Sequence, residues 1–558
     1  MQKICAQCTN QFEVTDEDLQ FYDKISPVFA DKKYPIPPPT LCPSCRMQKR
    51  MTFRNERNLY KRKCDFSGKE IISIYSPASP YTIYDQKMWW SDVWDTFKYG
   101  KPYDFNRTFF EQFQELLIKV PRINLENREN ENSDYGNDND HLRNCYLCFN
   151  GSQAEDSYYC NTFGFGVKDS VDLFWCFSCE LCYECTKVHE SYHSFWCFNG
   201  KNLSDCFFCI DSQSCKNCFG CVGLRQKEYC VYNEQLTKEE YQKFMENFKF
   251  THTEIELAKE KVKALSLKTP HKNVQIQESE NCVGDYISNS KNCTQCFDVI
   301  QSENSKYTWD GMVNNCYDCF NTGFNTNFVY ECLGTYECTN VNFANKCHMS
   351  SDLLYSDYCF QSEKLFGCVG LKHKKYCILN KQYSKEEYEE LVPKIIEQMK
   401  KDGQWGEFFP ASFSPFGYND SMAADYFPLT KEEALEKGFH WNDYINPKPI
   451  GMKTIVAKDL PESIQEVGDE ILEWVIECEK DQKIFKIIAQ ELKFYRRHNL
   501  PLPRLCPDCR HYERKALINP RKLYVRECAK CDMPIQTSYS PDRPEIVYCE
   551  QCYLKEVY

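Results

Sequence analysis

The chain has 558 residues, a formal net charge of −13 and 37 cysteines. Its length predicts several domains, and its negative charge argues against attraction of the whole molecule to nucleic acid or to an anionic membrane. The odd number of cysteines, their frequent Cys-x-x-Cys spacing and the absence of a visible signal peptide or bilayer-spanning apolar run together predict a reduced, cytoplasmic protein without a membrane partner.

The first module, residues 1–65, carries the pairs Cys5/Cys8 and Cys42/Cys45. Four thiolates arranged in this way suit a closed, tetrahedral Zn²⁺ site. The alternative is a group of buried free thiols. Residues 66–140 follow as a mixed α+β segment and linker whose aromatic residues are expected to form a local core.

Residues 141–235 form a ladder in which cysteine recurs every twelve residues, as at Cys185, Cys197 and Cys209, beside aromatic residues. A short fixed period of this kind predicts a β-solenoid with stacked coils. Asn144, Asp205 and Asn217 are predicted at turns, because Asn and Asp tolerate unusual backbone angles. The rival interpretation is a string of zinc knuckles, which would need four ligands grouped closely.

A second ladder, residues 276–383, copies the first: Phe219-Gly-Cys-Val-Gly-Leu returns at Phe366. Each ladder is followed by a capping box, Thr237 to Glu240 and Ser384 to Glu387, which predicts a helix. Residues 236–275 are therefore predicted as a capping helix and linker. Residues 384–475 are predicted as a capping helix, an aromatic strap and a linker, and the two helices are expected to close the solenoids.

The last module, residues 476–558, repeats the first module and contains two potential metal sites. Its complete second site consists of Cys528, Cys531, Cys549 and Cys552. Its first site has an aspartate in fourth place and consists of Cys478, Asp481, Cys506 and Cys509. In the first module the second site has decayed, because only Cys64 remains and Ser67, Asp85 and Met88 occupy the other positions. The sequence thus predicts two to three Zn²⁺ per chain.

Both modules are basic between their cysteine pairs. Arginine could pair with phosphates and tyrosine could stack on a base, which predicts contact with RNA or single-stranded DNA. The alternative is a solvated charged face. The residues concerned are Arg46, Arg50, Arg57, Tyr60 and Arg62, which recur as Arg510, Arg514, Arg521, Tyr524 and Arg526.

One sequence matches a protease motif, His189-Glu-Ser-Tyr-His193. That motif needs a helix to bring both histidines to one face, whereas in this chain it lies in register with the ladder. No catalytic arrangement can be inferred elsewhere, so the sequence favours a non-enzymatic protein and indicates no small-molecule substrate.

Three features carry a resemblance to a known group of proteins: the pattern Cys-Pro-x-Cys-Arg followed by Arg-Asn-x-Arg-x-Leu-Tyr-x-Arg-x-Cys, the cysteine ladders, and the ending Ser-Pro-Asp-Arg-Pro-Glu-Ile-Val-Tyr-Cys-Glu-Gln-Cys-Tyr. Together they resemble the uncharacterised zinc-ribbon, cysteine-repeat family that is abundant in candidate-phyla-radiation bacteria (Patescibacteria). The resemblance covers essentially the whole chain. It implies a class of protein and no established activity.

The sequence therefore predicts a mainly β protein, in which zinc-ribbon modules flank a duplicated, cysteine-rich parallel β-solenoid with short capping helices. The predicted function is a zinc-binding scaffold or adaptor that contacts nucleic acid through the ribbon modules. Three alternatives stay open. The first is a cytoplasmic thiol or metal buffer, or a redox protein, that uses the ladder cysteines. The second is a protein–protein scaffold without nucleic acid, and the third is an enzyme with an unfamiliar site in the segment 66–125.

Overall fold

The computed structural model describes residues 1–447 and 451–557 and is mainly β, as predicted. The chain divides into two compact units, each built from two separate stretches. Unit 1 comprises Met1–Leu125 and Val274–Tyr444, and unit 2 comprises Glu126–Asn273 and Ile445–Tyr558. No helix among the described residues is long and apolar enough to cross a membrane.

Short strands outnumber helices in the first two stretches of the chain. The first stretch of unit 1 contains strands β1 Gln2–Ile4, β2 Gln11–Glu13, β3 Val28–Phe29, β4 Lys32–Lys33, β5 Tyr60–Lys63, β6 Glu70–Ser73, β7 Ile83–Tyr84 and β8 Arg122–Ile123, and helices α1 Asp16–Ile25, α2 Pro43–Met51, α3 Gln86–Trp90 and α4 Phe109–Lys119. The first stretch of unit 2 contains β9 Asn127–Arg128, β10 Gly136–Arg143, β11 Cys148–Glu155, β12 Asn161–Gly164, β13 Val167–Lys168, β14 Phe174–Glu180, β15 Thr186–Tyr192, β16 Phe198–Lys201, β17 Ser204–Phe207, β18 Lys216–Phe219, β19 Cys230–Val231, β20 Glu234–Gln235 and β21 His271–Lys272, with α5 Lys238–Asn247 and α6 His252–Ser266.

The remaining elements follow the same pattern. The second stretch of unit 1 contains β22 Ile276–Gln277, β23 Val283–Ser288, β24 Thr294–Ile300, β25 Trp309–Leu333, β26 Thr339–Asn345, β27 Ser351–Leu354, β28 Glu363–Phe366, β29 Lys375–Ile378 and β30 Lys381–Gln382, with α7 Lys385–Lys401, α8 Met422–Tyr426 and α9 Lys431–Glu436. The second stretch of unit 2 contains β31 Thr454–Val456, β32 Val475–Glu477, β33 Ile484–Phe485, β34 Tyr524–Glu527, β35 Pro534–Thr537 and β36 Val547–Tyr548, with α10 Ala489–Arg497, α11 Pro507–Ala516 and α12 Glu550–Val557.

Both ladders are parallel β-solenoids, which confirms the predicted fold class. Neighbouring coils pair in parallel at a spacing of twelve residues in most places, as where Gly136 of β10 lies beside Cys148 of β11 and Thr339 of β26 beside Ser351 of β27. The step is thirteen residues between β12 and β14, where Asn161 pairs with Phe174. Leu173 therefore takes the position that Cys160 holds in the preceding coil, and the twelve-residue spacing resumes at Cys185.

The coil bends at every third residue. From Asp169 to Asn217 each third residue is non-glycine and has a φ between 44° and 59°. A twelve-residue coil that bends every three residues has four sides. Asn144, Asp205 and Asn217 occupy such bends, with φ of 55°, 51° and 50°, as the sequence predicted. Asn and Asp enter this left-handed region more readily than other non-glycine residues because their side chains bond locally.

The residue after each bend is buried inside the coil, and it is often cysteine. Cys179 and Cys185 are fully buried. The Cys185 thiol lies 3.4 Å from the carbonyl oxygen of Tyr183 in its own coil and 3.2 Å from that of Ser194 in the next coil. Cys179 repeats this pattern with Phe177 and Val188 at 3.4 and 3.3 Å. A small, weakly donating side chain therefore fills the narrow interior and bonds two carbonyl groups.

All 37 cysteines are free thiols, and 24 of the 25 ladder cysteines are buried, Cys282 being half-buried. Burial raises the pKa of Cys338 to about 12 and raises the pKa of Cys332 well above its usual range. A protonated, buried thiol is a poor nucleophile. Because the reagent cannot reach buried thiols, we expect iodoacetamide to leave the 24 buried ladder cysteines of the native protein unmodified, and to modify exposed Cys531 in metal-free protein. Mass spectrometry before and after denaturation measures this, and fast native modification of Cys332 would contradict it.

The predicted capping helices cover the last coil of each solenoid. Helix α5 begins with the Thr237–Glu240 capping box and packs Phe244 against Phe219, with ring centroids 5.0 Å apart. Helix α7 begins with the Ser384–Glu387 capping box. The charged linker expected after α5 is instead helix α6. Ile255, Ala258 and Val262 form its buried face, and their spacing is that of a helix.

Each ribbon module shares its hydrophobic core with one of the solenoids. The N-terminal module shares one hydrophobic core with the second solenoid and with the aromatic strap, including Tyr22, Tyr330 and Phe409. The C-terminal module shares a core with the first solenoid and with α6, including Phe195, Val262 and Tyr495. Each ribbon module therefore packs on the solenoid that lies farther from it along the chain.

Candidate metal centres

The N-terminal cluster joins a turn after β1 to the start of α2. Cys5 and Cys8 lie in the turn, and Cys42 is the N-cap residue of α2. Pro43 at the first helical position fixes a backbone angle that suits a helix start. The backbone N–H of Cys42 donates to Sγ of Cys5 at 3.2 Å, and Sγ of Cys8 lies 3.7 Å from Sγ of Cys42. Cys45, one turn into the helix, completes the four ligands.

The second cluster has the same design in the C-terminal module. Cys478 follows β32, and Cys506 is the N-cap residue of α11. The backbone N–H of Cys506 donates to Sγ of Cys478 at 3.2 Å. Both carboxylate oxygens of Asp481 lie 3.7 Å from Sγ of Cys506. Cys509 is the fourth member of the cluster, and Asp481 occupies the position that Cys8 has in the N-terminal module.

The third cluster lies between the β34–β35 hairpin and α12. The backbone N–H of Cys549 donates to Sγ of Cys528 at 3.2 Å, and Sγ of Cys531 lies 3.9 Å from Sγ of Cys549. Burial opposes ionisation of Cys528, but backbone N–H groups, first that of Cys549, lower its pKa to about 6. Cys552 in α12 is the fourth ligand.

In each of these three groups the four ligand atoms all lie within 4.8 Å of one another. Within the described ranges no other group of three or more histidine, cysteine or acidic ligands meets this condition. Donor sets of four thiolates, or of three thiolates and a carboxylate, fit a tetrahedral divalent metal without an open position. The structure therefore brings together the twelve residues that the sequence identified as metal ligands.

The incomplete second site of the first module, at Cys64, keeps a local fold although its other three cysteines are missing. Cys64 accepts backbone N–H groups of Ser67 at 3.5 Å and Asp85 at 3.2 Å. Trp89 is fully buried, and its carbonyl oxygen accepts a 2.7 Å hydrogen bond from Lys372.

Unit 2 has an equivalent contact beside its intact metal cluster. Arg225 of the first solenoid donates to the hydroxyl oxygen of Tyr553 at 3.0 Å. In both units a cation of the solenoid therefore contacts an aromatic residue next to the second ligand set, whether or not that set is complete.

Two arginines of α2 enter the second solenoid. Arg46 makes a bidentate pair with Asp318 at 2.9 and 2.7 Å, and it is 3% exposed. Arg50 donates to Glu331 at 2.5 Å and to Asp318 at 3.3 Å, and it is fully buried. Burial, assisted by the Asp318 charge, raises the pKa of Glu331 against the opposing effect of Arg50.

Unit 2 repeats this arrangement with equivalent residues. Nε of Arg510 lies 3.0 Å from Asp172, and Nη2 of Arg514 lies 2.9 Å from the same carboxylate. Glu184 lies 3.4 Å from Nζ of Lys259 in α6. Burial opposes ionisation of Glu184, but Lys259 and the two arginines lower its pKa. Both ribbon modules are thus bound to a solenoid by buried ion pairs.

This burial corrects the predicted nucleic-acid residues. Four of them, Arg46, Arg50, Arg510 and Arg514, are buried in ion pairs and cannot meet a phosphate while the modules stay docked. Tyr60 is also buried, and its hydroxyl donates to Asp420 at 2.8 Å. The remaining members of the set are partly exposed: Arg57, Arg62, Arg521, Tyr524 and Arg526. The basic surface predicted at these positions is therefore reduced to these five residues.

Each unit has a further docking contact that was not predicted from the sequence. Asp18, the capping-box residue of α1, pairs with Lys306 at 2.8 Å. Its counterpart Glu491 accepts a hydrogen bond from the hydroxyl of Tyr159 at 2.8 Å. The two solenoid positions correspond in the duplicated ladders. A comparison of the ladders would therefore have identified Lys306 as an unusual charge inside a repeat.

A buried histidine anchors the segment after α6. Nδ1 of His271 lies 2.8 Å from Asp211, and Nε2 lies 3.0 Å from the carbonyl oxygen of Ser266. Burial alone would lower the pKa of His271, but the hydrogen bond and charge of Asp211 outweigh it, so the pKa is raised. The pKa of Asp211 is lowered against its own burial, chiefly by His271.

These shifts predict a pH window for the anchor. Protonated His271 contributes stability below its unfolded pKa of about 6.5, and this contribution is lost as the pH rises through the higher folded pKa. Ionised Asp211 contributes above about 3.9 and loses its contribution at acidic pH. We expect hydrogen-exchange protection of β21, corrected for intrinsic rates, to fall between pH 6 and pH 9. His271→Gln should show no such fall, and an identical fall in that variant would assign it to another group.

The protease-like motif lies in a solenoid strand. His189 belongs to β15, and His193 follows its end. His193 lies 2.8 Å from Asp205 of the next coil. The two histidines are not on one face of a helix, so the geometry of the zinc protease motif is not formed.

Comparisons with known proteins identify no family. No protein-family model matches the chain, and no curated protein matches it. One similar solved structure is described as a provisionally assigned acetyltransferase from Desulfovibrio desulfuricans G20. The sequences are 9% identical over 40% of this chain and 64% of that one, with a TM-score of 0.10. The match therefore spans less than two thirds of that chain and carries no argument about this one.

Proposed function

We propose that the protein is a zinc-dependent, non-catalytic scaffold that binds protein partners in a reduced cytoplasm. Zn²⁺ is the proposed metal because closed sites of cysteine, with or without one aspartate, are typical of structural zinc. In this proposal Zn²⁺ fixes the ribbon modules, and the ribbon modules brace the solenoids. We also propose that the chain belongs to the zinc-ribbon, cysteine-repeat family that its motifs resemble.

The observation that carries this proposal is the duplicated burial of two arginines per ribbon module. Arg46 and Arg50 in unit 1, and Arg510 and Arg514 in unit 2, are used inside the protein. A module that reads nucleic acid needs such cations at its surface. Their burial favours a structural role of the ribbon modules over nucleic-acid recognition. It also favours the protein–protein scaffold among the alternatives that the sequence left open.

An exposed aromatic patch on unit 1 supports a protein partner. Phe66 is 46% exposed, Trp90 47% and Val93 54%. The rings of Phe66 and Tyr84 are 5.2 Å apart. Apolar and aromatic side chains grouped at a surface are typical of interaction sites.

The thiol or metal buffer is less well supported. The ladder cysteines are almost all buried, and within the described ranges none of them belongs to a group of ligands close enough to hold an ion. A buffer needs thiols that metal or an oxidant can reach.

Metal analysis tests the proposal. Protein purified without a chelator should contain three Zn²⁺ per chain, with the aspartate-containing site the weakest. Fluorescence anisotropy should show no binding of single-stranded RNA or DNA at low salt. Protein that contains no zinc would contradict the metal part. Salt-dependent binding that Arg57→Glu together with Arg521→Glu abolishes would instead support the nucleic-acid function.

A further inference from the structure

Solvent reaches the three metal clusters to different extents. In the N-terminal cluster Cys5, Cys42 and Cys45 are buried and Cys8 is half-buried. The aspartate-containing cluster likewise has three buried cysteines. In the C-terminal cluster Cys528 alone is buried, Cys531 is exposed, and Cys549 and Cys552 are half-buried. Oxidants react fastest with thiolates that they can reach. The C-terminal cluster is therefore the one most open to attack.

The geometry of this cluster suits a disulfide between two of its ligands. Sγ of Cys531 lies 3.9 Å from Sγ of Cys549. A disulfide needs about 2.05 Å, so the sulfur atoms must approach by roughly 2 Å. Cys531 lies in the turn of the β34–β35 hairpin, whose Val525 and Met533 are 71% and 62% exposed. Few packing contacts oppose a small movement of such a hairpin.

We propose that Cys531 and Cys549 form a peroxide-sensitive pair, and that their oxidation releases the metal of the C-terminal cluster while the two buried clusters keep theirs. This inference rests on the zinc occupancy proposed above and adds a regulatory site to it. Hydrogen peroxide, or a peroxide of similar size, is the reactant.

The reaction balances with the peroxide as the sole oxidant. The Cys531 thiolate attacks one peroxide oxygen, an S–O bond forms, the O–O bond breaks, and the departing hydroxide takes a proton to become water. The Cys549 thiolate then attacks the resulting sulfenic acid at sulfur, the S–S bond forms, and the second hydroxide leaves as water with another proton. Together the two thiolates lose two electrons, and these electrons reduce the peroxide to two water molecules. Only two of the four ligands then remain.

Loss of this site should affect one particular segment of unit 2. Cys549 directly follows β36, which pairs in parallel with β21. Thr537 donates to the carbonyl oxygen of Asn273 at 2.7 Å, and Asn273 donates to the carbonyl oxygen of Gln536 at 2.9 Å. The hairpin and β36 thus hold residues 271–273, the last residues of unit 2 before the chain enters unit 1. Oxidation at Cys531 is coupled through β36 to the order of this segment.

The experiment treats full-length, zinc-loaded protein with a small excess of hydrogen peroxide. A chromogenic chelator follows the released metal, mass spectrometry maps disulfides, and hydrogen exchange monitors β21 and β36. We expect rapid release of a single Zn²⁺ per chain, a Cys531–Cys549 disulfide, and loss of protection in both strands. Reduction with added Zn²⁺ should reverse all three changes.

Two matched variants locate the effect. Cys531→His keeps a zinc ligand that cannot form a disulfide, so it should retain its metal under peroxide. Cys8→His makes the same change in the N-terminal cluster and should release zinc as the wild type does. If Cys531→His fails to bind three zinc ions, the mapped disulfide and the order of release in the wild type still decide the question.

Several results would overturn the inference. These are release of all three ions at one rate, a first disulfide in a buried cluster, or retention of all zinc under peroxide. Protein that holds three zinc ions and resists peroxide refutes this inference alone. Protein that contains no zinc as purified refutes the proposed function as well.

Discussion

Replacing Asp318 with Asn should destabilise unit 1 by about 3–5 kcal/mol, the usual cost of removing one partner from a buried charge pair. Asp318 binds Arg46 and Arg50, both of which are almost completely buried. The variant leaves these two guanidinium groups with Glu331 as their remaining nearby carboxylate. Hydrogen exchange of α2 reports this local loss better than a single melting temperature, because a chain with two units need not unfold in one step.

Two control variants isolate the effect of burial. Asp23→Asn removes an ion pair with Lys33 in which the side chains are 65% and 42% exposed, and such pairs contribute about 1 kcal/mol or less. Asp172→Asn removes the equivalent buried carboxylate from unit 2 and should weaken α11 while leaving α2 unchanged. If Asp318→Asn behaves like Asp23→Asn, the buried pairs do not hold the module in place.

Removing the metal should unfold the ribbon modules and leave most solenoid strands intact. Structural zinc contributes on the order of 10 kcal/mol to the fold around it, which is comparable to the whole stability of a typical domain. The coils depend on the twelve-residue hydrogen-bond ladder and on buried thiols, and neither involves the clusters. We expect a strong zinc chelator to abolish exchange protection in α2 and α11 while the far-ultraviolet β signal persists.

Cys64→Ser is the matched control for the metal experiment, because Cys64 is a buried module cysteine outside all three clusters. It should not change the zinc content, whereas Cys42→Ser should remove one ion. Cys42 also starts the helix that carries Arg46 and Arg50. The effects of Cys42→Ser and Asp318→Asn should therefore be less than additive, because both release the same helix. Strict additivity, or collapse of the solenoids on chelation, would contradict this scheme.

The sequence predicted the local features well because their causes are local. The spacing from Cys185 to Cys197 defines the coil, and the capping box at Thr237 defines the start of α5. The ligand pairs were recognisable because two cysteines three residues apart can bind one ion on a tight turn. Helix α6 was missed, although Ile255, Ala258 and Val262 follow helical spacing, because its many charged residues suggested a linker.

The docking could not be predicted because its contacts join residues separated by about half of the chain. Arg50 and Glu331 are 281 residues apart, and Arg46 and Asp318 are 272 apart. Arginine is usually at the surface, so a basic stretch within a small metal module suggested a binding face. Only the recurrence of acidic residues at equivalent ladder positions, Asp172 and Asp318, could have indicated that buried partners exist for them.

The interleaved order of the two units has a consequence for synthesis on the ribosome. The N-terminal module is made first, yet its partner solenoid begins only at Val274, after the whole first stretch of unit 2. At roughly 5–20 residues per second, the interval between Arg50 and Glu331 lasts on the order of tens of seconds. During that time the nascent module carries uncompensated arginines and uncovered aromatic residues. Early zinc binding at Cys5 and Cys42 would keep this waiting segment folded, so metal supply should limit the yield of correctly assembled protein.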